Sequence, residues 1–359
     1  MRRTAALIVG GGPAGAAAAI ALARGGAAPL LIERNPGERD VVCGGFLGWD
    51  ALAALRRLGL DAESLGARPI RRLRLVARER TVEARLPRAA AGLSRRRLDS
   101  ALLELAASAG ANVQRGRSAR AFEDGGVRLD DGEHLAADSL FLATGKHELR
   151  GAARALGARE ASVGLRGAVA PSPAAERALA GTIELHLFDQ GYAGLLLQED
   201  GSANFCLSAS RARLAAAGSP DALVAELMAE APKLADRLGG GLPSGWEAIA
   251  GVPYGWLART TEPRLFRLGD QAAVIASLAG DGIAIALRSG MAAAGRHLAG
   301  GGEAAAAYQS DFARRAARPV AVAELLRHMA ERPSRRPLMM GLASLPAIAR
   351  LAARLTRIG

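Results

Sequence analysis

Near its start the chain carries Leu7-Ile8-Val9-Gly10-Gly11-Gly12-Pro13-Ala14-Gly15, an apolar run that breaks into glycines and then opens a helix. No other stretch limits the fold as much. Residues 5–9 read as a buried strand and Gly10 permits the tight turn, while Gly12 keeps side-chain atoms away from a pyrophosphate and Gly15 lets the helix press on the strand. Free N–H groups and the positive end of that helix then face phosphate oxygens. Pro13 suits the first helical turn, where its missing N–H costs nothing. An alanine-rich helix follows, Gly25-Gly26 end it, and Leu30-Leu31-Ile32 form a second strand closing on Glu33. That acid stands 18 residues beyond Gly15, close to where a carboxylate accepts ribose hydroxyls. Strand, turn, helix, strand and terminal acid together specify a dinucleotide.

The 359 residues suffice for a large core in one or two interleaved domains. No run of about 18 apolar residues is uninterrupted, so no membrane span is evident. The first strand begins within a few residues of Met1 and leaves no room for a cleaved signal peptide, and Cys43 and Cys206 alone cannot make a disulfide framework. A reducing cytoplasm is the expected setting. His134, His147, His186, His297 and His328 lack metal-ligand spacing, so no metal is expected. The net charge of +12 comes almost wholly from dispersed arginines, with only Lys146 and Lys233 as lysines. Few aromatics and no nucleic-acid motif accompany it, and no nucleic-acid partner is expected.

Along the chain, residues 50–59 suggest a short helix, and 70–76 and 81–86 alternate as strands. Leu98, Ala101, Leu102, Leu105 and Ala106 fall at helical spacing up to Gly110. A hairpin over 127–136 turns at Asp131-Gly132, and a separate buried strand over 139–143 ends in Thr144-Gly145. From about residue 162 the pattern changes to alternating stretches at 182–188, 192–198 and 203–209, which predict an antiparallel sheet. Helices are expected over 210–238. A strand at 264–268 then runs into Gly269-Asp270, a second glycine turn follows at Gly280-Asp281-Gly282, and a helix carries Leu287, Met291, Ala294 and Leu298 on one side.

Taken in order, these motifs resemble flavoproteins of the p-hydroxybenzoate hydroxylase fold, most closely their geranylgeranyl reductase-related branch. The resemblance spans residues 4 to about 300 and rests on five pieces: Gly10–Gly15 with Glu33-Arg34, Val42-Cys43-Gly44-Gly45, Arg95-Arg96-Arg97-Leu98-Asp99, Gly191-Tyr192-Ala193-Gly194, and Gly269-Asp270 with Gly280-Asp281-Gly282-Ile283. It implies an α/β fold: a Rossmann-like FAD-binding domain with an inserted antiparallel sheet that binds substrate, and C-terminal helices. The expected boundaries are 1–66, 90–160 and 258–302 for FAD, 67–89 and 161–257 for the substrate sheet, and 303–359 for the helices.

The resemblance also implies the site. Gly10, Gly12, Pro13, Ala14, Gly15, Glu33, Arg34, Cys43, Gly44, Arg95, Ala119, Thr144, Gly145, Asp270, Gly280, Gly282 and Ile283 are the expected FAD contacts. Arg95 would place a cation near the pyrophosphate or ribityl chain, Asp270 would accept ribityl hydroxyls, and the helix from Gly282 would direct N–H groups at the flavin N1–C2=O edge. No second strand–glycine–helix unit is present, so electrons arrive from a transiently docked NAD(P)H, a carrier protein or the substrate itself. Departures from the family pattern bear on the reaction. Ala143-Thr144-Gly145-Lys146-His147 and Gly269-Asp270-Gln271-Ala272-Ala273-Val274 break the hydroxylase motifs, Ser277 replaces a proline, and Gly194 replaces a tryptophan.

Cys43 is the candidate catalytic acid, since a thiol with an ordinary pKa near about 8.5 is mostly protonated at neutral pH. The alternative is a small residue lining the flavin. Cys206 is expected to pack, and Lys146 and His147 to lie on the surface. Tyr192, Tyr254 and Trp256 are the candidate substrate residues, in a pocket of aliphatic faces that suits a hydrophobic molecule of polyprenyl or polyketide type. The expected reaction is hydride transfer between flavin N5 and a carbon–carbon double bond, with aromatic hydroxylation and simple electron relay as the alternatives. Ile348, Leu351 and Leu355 alternate with Arg350, Arg354 and Arg357 in a basic amphipathic helix. It either covers the substrate domain, the preferred reading, or rests on the inner face of a membrane.

Overall fold

A computed structural model describes residues 2–155 and 162–358. The chain begins with β1 (Arg2–Val9), α1 (Pro13–Arg24), β2 (Leu30–Glu33), β3 (Phe46–Leu47) and α2 (Trp49–Arg57). It continues through β4 (Arg68–Ala77), β5 (Arg80–Gly92), α3 (Arg95–Ser108), β6 (Asn112–Arg115), β7 (Ala119–Glu123), β8 (Gly126–Leu129) and β9 (His134–Leu142). The inserted part holds β10 (Ser162–Val169), α4 (Pro173–Leu179), β11 (Thr182–Phe188), β12 (Gly191–Leu197), β13 (Ala203–Ser210), α5 (Arg211–Ala217), α6 (Pro220–Glu230), α7 (Pro232–Leu238) and β14 (Ser244–Val252). It closes with β15 (Leu265–Arg267), α8 (Gly282–Gly300), α9 (Ala305–Glu331), α10 (Arg336–Ala343) and α11 (Pro346–Leu355).

Two sheets organise these elements. The first runs β6-β2-β1-β9-β8-β7, with β15 added along β9. Its parallel centre is buried on both faces, so Ala6–Val9 of β1 and Leu30–Ile32 of β2 read as continuous apolar runs. Ala16 to Ala19 of α1 are all fully buried between this sheet and α8. Small side chains allow that approach: a Cβ on Gly290 of α8 would lie 2.2 Å from Ala14 O. The expected break between a hairpin at 127–136 and a strand at 139–143 does not exist. β9 is one strand, antiparallel to β8 through Leu135 and Ala136 and parallel to β15 from Leu140, while β1 runs parallel to its full length.

The second sheet runs β14-β10-β13-β12-β11-β4-β5-β3. β11, β12 and β13 pair antiparallel, as expected, and so do β10 and its neighbours. The sheet as a whole is mixed, however, because β4 and β11 pair in parallel, from Arg72 opposite Thr182 to Val76 opposite His186. Strands brought together from distant parts of the chain are free of the antiparallel constraint that a hairpin imposes. β3, within the stretch expected to serve FAD alone, pairs with β5 in this sheet. One face of the sheet packs on α6 and α7 through Phe205, Leu207, Leu227 and Leu234. Part of the other is covered by α9 and α10, where Leu75, Leu185 and Tyr192 meet Met329, Met339 and Met340.

Candidate active site

A cleft of about 580 Å³ runs between the two sheets. At one end lie the glycine turn and the tip of β2. Glu33 accepts from Gly11 N–H at 2.6 Å through Oε2 and from Asn35 N–H at 2.8 Å through Oε1, so the carboxylate is fixed at the mouth of the turn. Gly12 is the N-cap of α1 and supplies no side chain, leaving the first-turn N–H groups facing the cleft. Arg34, Thr144 and Gly145 also line this end, as does Ala119. Arg34 Nη2 is 2.8 Å from His147 Nε2.

Arg95 follows the Ser94 N-cap of α3, whose hydroxyl accepts from Arg97 N–H at 3.1 Å. Its guanidinium forms a two-point pair with Asp99, Nε to Oδ1 at 2.8 Å and Nη2 to Oδ2 at 2.7 Å. A Cβ on Gly12 would sit 3.3 Å from Arg95 Nη2, so the cation lies over the turn. Burial opposes the charge, yet the Asp99 carboxylate outweighs it and holds the Arg95 pKa above its ordinary value, with the Cys43 sulfur also beside it. Arg96 and Arg97 are exposed. Cys43 itself is held on the loop before β3: its carbonyl accepts from Asn204 Nδ2 at 3.0 Å and its Sγ from Gly45 N–H at 3.5 Å. Asp40, on the same loop, pairs with buried Arg166 at 2.9 Å and accepts from Arg96 N–H at 3.0 Å.

Across the cleft, Asp270 lies just beyond β15 and pairs with Lys146 Nζ at 3.1 Å. Burial works against the ammonium, but Asp270 more than offsets it and keeps the Lys146 pKa above the usual lysine value. Farther on, Gly280, Gly282 and Ile283 bring the N-terminus of α8 to the cleft. Asp281 occupies the N-cap without capping, because its carboxylate turns away to Arg357 and to Ile358 N–H at 2.9 Å. The helix therefore keeps its positive end for a ligand.

The residues fit FAD. A Cβ on Gly44 or Gly282 would project into open space, as a cradle for a flat ring requires, and a carboxylate, an uncapped helix N-terminus and a cation are spaced for ribose and pyrophosphate. The structure also moves several expected positions. Lys146, expected at the surface, is half-buried and lines the cleft, whereas His147 at its edge is exposed, as expected. Cys206, expected to pack, lines the cleft too; its alternation opposite Phe205 and Leu207 turns it that way, and burial pushes its thiol up to about 12. Tyr254 lines the cleft, but Tyr192 and Trp256 do not. Tyr192 is buried behind Ser277, and Trp256 donates from Nε1 to Ala155 O at 3.2 Å beneath the Arg154 guanidinium.

Comparison with known proteins agrees with this geometry. Residues 3–151 match the FAD binding domain family. The menaquinone reductase of Mycolicibacterium smegmatis is 31% identical over 326 residues, covering 83% of this chain and 77% of that protein. Among solved structures, a geranylgeranyl bacteriochlorophyll reductase-like protein from Thermoplasma acidophilum superposes with a TM-score of 0.78 at 20% identity, covering 99% of this chain and 95% of that one. PqsL of P. aeruginosa in complex with 2-aminobenzoylacetate gives 0.74 at 19% identity, covering 95% of this chain and 100% of that one. These two structures bear on the fold alone.

Proposed function

The chain belongs to the FAD-dependent oxidoreductases of the p-hydroxybenzoate hydroxylase fold, and from that premise we propose that it reduces a carbon–carbon double bond in a hydrophobic, polyprenyl-bearing quinone. The observation that carries this reading is the change of character along one cleft. Its polar end holds Glu33, the glycine turn and Arg95, its other end is walled by Val42, Ile249, Val274 and Ile275 around Tyr254, and Cys43 stands between the two. An apolar pocket with few polar groups suits a lipophilic molecule. The menaquinone reductase relative supports the quinone class. Residues 1–66, 90–160 and 258–302 serve the cofactor in this reading, and 67–89 and 161–257 roof the substrate.

FAD held by Glu33, the glycine turn, Arg95 and the N-terminus of α8 would supply a two-electron donor, with a transiently docked nicotinamide or a carrier protein as the source of its electrons. The chain supplies orientation and a proton. Cys43 Sγ, on a loop anchored through Asn204 and Asp40, is the acid that protonates the carbon next to the one receiving hydride. Lys146 and Asp270 fix the ribityl side of the cleft. Anaerobic holoprotein given NADPH or dithionite and menaquinone should yield a product heavier by two hydrogens after the ring is reoxidised in air. Gain of one oxygen, in the presence of air, would replace this reading with hydroxylation. No product together with rapid oxidation by a carrier would replace it with electron relay. Cys43→Ala should slow turnover by about tenfold or more with the flavin spectrum unchanged; unchanged turnover would reduce the thiol to packing.

The same reading places the enzyme against a membrane surface. No single helix among the described residues is long and apolar enough to cross a bilayer. α10 and α11 are bent by 105° and leave Leu338, Leu345, Ile348 and Leu351 exposed. Residues 332–358 carry no acid, and Arg332, Arg335, Arg350 and Arg354 among them are exposed. Exposed leucines flanked by arginine suit an anionic lipid face, where each cation contributes about 1 kcal/mol. The protein should cosediment with phosphatidylglycerol-containing vesicles and not with neutral ones, and Leu351→Glu should weaken that binding. Equal recovery with both vesicle types would remove the membrane from the account.

A further inference from the structure

The apolar end of the cleft contains a chain of hydroxyls. Tyr254 and Ser277 both line it, and Tyr254 Oη lies 3.0 Å from Ser277 Oγ. Ser277 Oγ lies 2.5 Å from Tyr192 Oη, which in turn accepts from Leu278 N–H at 3.1 Å. Tyr192 also bonds to Tyr254, so the three hydroxyls form one network that reaches the cleft through Tyr254 and Ser277. The Tyr254 ring is held from behind by the Arg327 guanidinium 5.7 Å from its centroid. Arg327 is itself pinned by Glu324 at 3.0 Å and Glu331 at 2.7 Å. Burial among these groups pushes the Tyr192 phenol well above its ordinary value, so it stays a neutral donor.

We propose that Tyr254 and Ser277 form the recognition site for a carbonyl oxygen, selecting a conjugated carbonyl compound such as a quinone or enone over a plain hydrocarbon. The inference rests on the reductase reading and narrows it. A carbonyl oxygen brings lone pairs and no proton, which matches a wall whose polar groups are hydroxyls able to turn and donate. Around the pair stand Val274, Ile275 and Ile249, which offer a ligand nothing to orient it. A hydrocarbon would strip water from the hydroxyls and return no hydrogen bond, a penalty that discriminates against it. Tyr192, which does not reach the cleft, is a positioning residue for Ser277.

The test is equilibrium binding to the oxidised holoprotein, followed by perturbation of the flavin absorbance, with 2-methyl-1,4-naphthoquinone and 2-methylnaphthalene as paired probes. The wild type should prefer the quinone, and Ser277→Ala and Tyr254→Phe should each cut that preference by about tenfold without changing hydrocarbon affinity. Ser277→Thr, which keeps the hydroxyl, should restore it. Variants that keep the full preference would overturn the inference, and so would equal loss of both probes, since the pair would then merely support the wall. Failure of the wild type to bind either probe would fell the quinone reading itself, and this one with it.

Discussion

Alanine at Gly12 should give a folded protein that no longer retains flavin, whereas alanine at Gly15 should damage the fold itself. The two positions differ in what an added methyl group meets. Gly12 has φ of −69° and ψ of −178°, which alanine adopts freely, and its Cβ would meet only the movable end of Arg95 at 3.3 Å. That Cβ stands where phosphate oxygens must approach the uncapped N–H groups of α1. Losing two hydrogen bonds to a charged oxygen, each about 1.5–3 kcal/mol, weakens binding on the order of a hundredfold or more. At Gly15 the Cβ would fall 1.9 Å from Gly10 O, which is backbone, and 3.1 Å from Ile8 Cγ2. Helix α1 cannot retreat, because α8 closes on its other side at Gly290. Overpacking of this kind costs about 3 kcal/mol or more. Visible absorbance after desalting and thermal melting by circular dichroism separate the outcomes. A Gly12→Ala protein that keeps its yellow colour would mean the phosphates lie elsewhere.

How much of this was legible in advance depended on how local each signal is. The turn at residues 10–15, Glu33 and Asp270 are read from neighbours in sequence, because strand, turn and helix are built from adjacent residues. Cys206 was legible only by half. Alternation puts it opposite Phe205 and Leu207, but which face of β13 meets the cleft is decided by the packing of α6 and α7. Lys146 lies past a glycine turn that looks exposed, and its partner Asp270 is distant in sequence. β14 leaves most of its residues at least partly exposed at a sheet edge, so it shows no clear apolar rhythm. The continuity of β9 was hidden because its two halves have different neighbours. Ser277 stood out as a departure from the family, yet its contacts with Tyr192 and Tyr254 exist only once three distant segments meet.

Arg357 shows the same limit most clearly and leads to the second large expected effect. In sequence it belongs to the basic face of an amphipathic helix; in the structure it leaves that face and plugs the flavin loop. Its side chain is 7% exposed, its guanidinium lies 4.6 Å from the Trp49 ring centroid, and Nη1 donates to Gly280 O at 3.2 Å and to Asp281 Oδ1 at 3.0 Å. Beside Asp281 lies the buried Asp50 carboxyl. Burial first, and then Asp50, push the Asp281 pKa well above the usual carboxylate range, while Arg357 pulls against them. Arg357→Ala leaves two buried acids without their cation, at a cost of about 3–5 kcal/mol. It also frees the loop that presents Gly282, so flavin should dissociate more readily. Adding Asp50→Asn removes one of the two acids and should recover much of the stability.

The proton on Asp281 gives a second readout. Because the native state holds it more tightly than the unfolded chain does, the contribution of Asp281 is complete below about pH 4 and falls as pH rises through the native value. Asp281→Asn should therefore remove a downward slope of denaturation midpoint against pH that the wild type retains. Glu184 runs the other way: burial opposes its charge, but His186, Arg74 and Arg237 bring its pKa to about 2, so its contribution is lost only as acid is added. Subtracting variant from wild type at each pH cancels that term and isolates the C-terminal clamp. An identical slope in both proteins would mean that Asp281 is ionised and that Arg357 neutralises it alone.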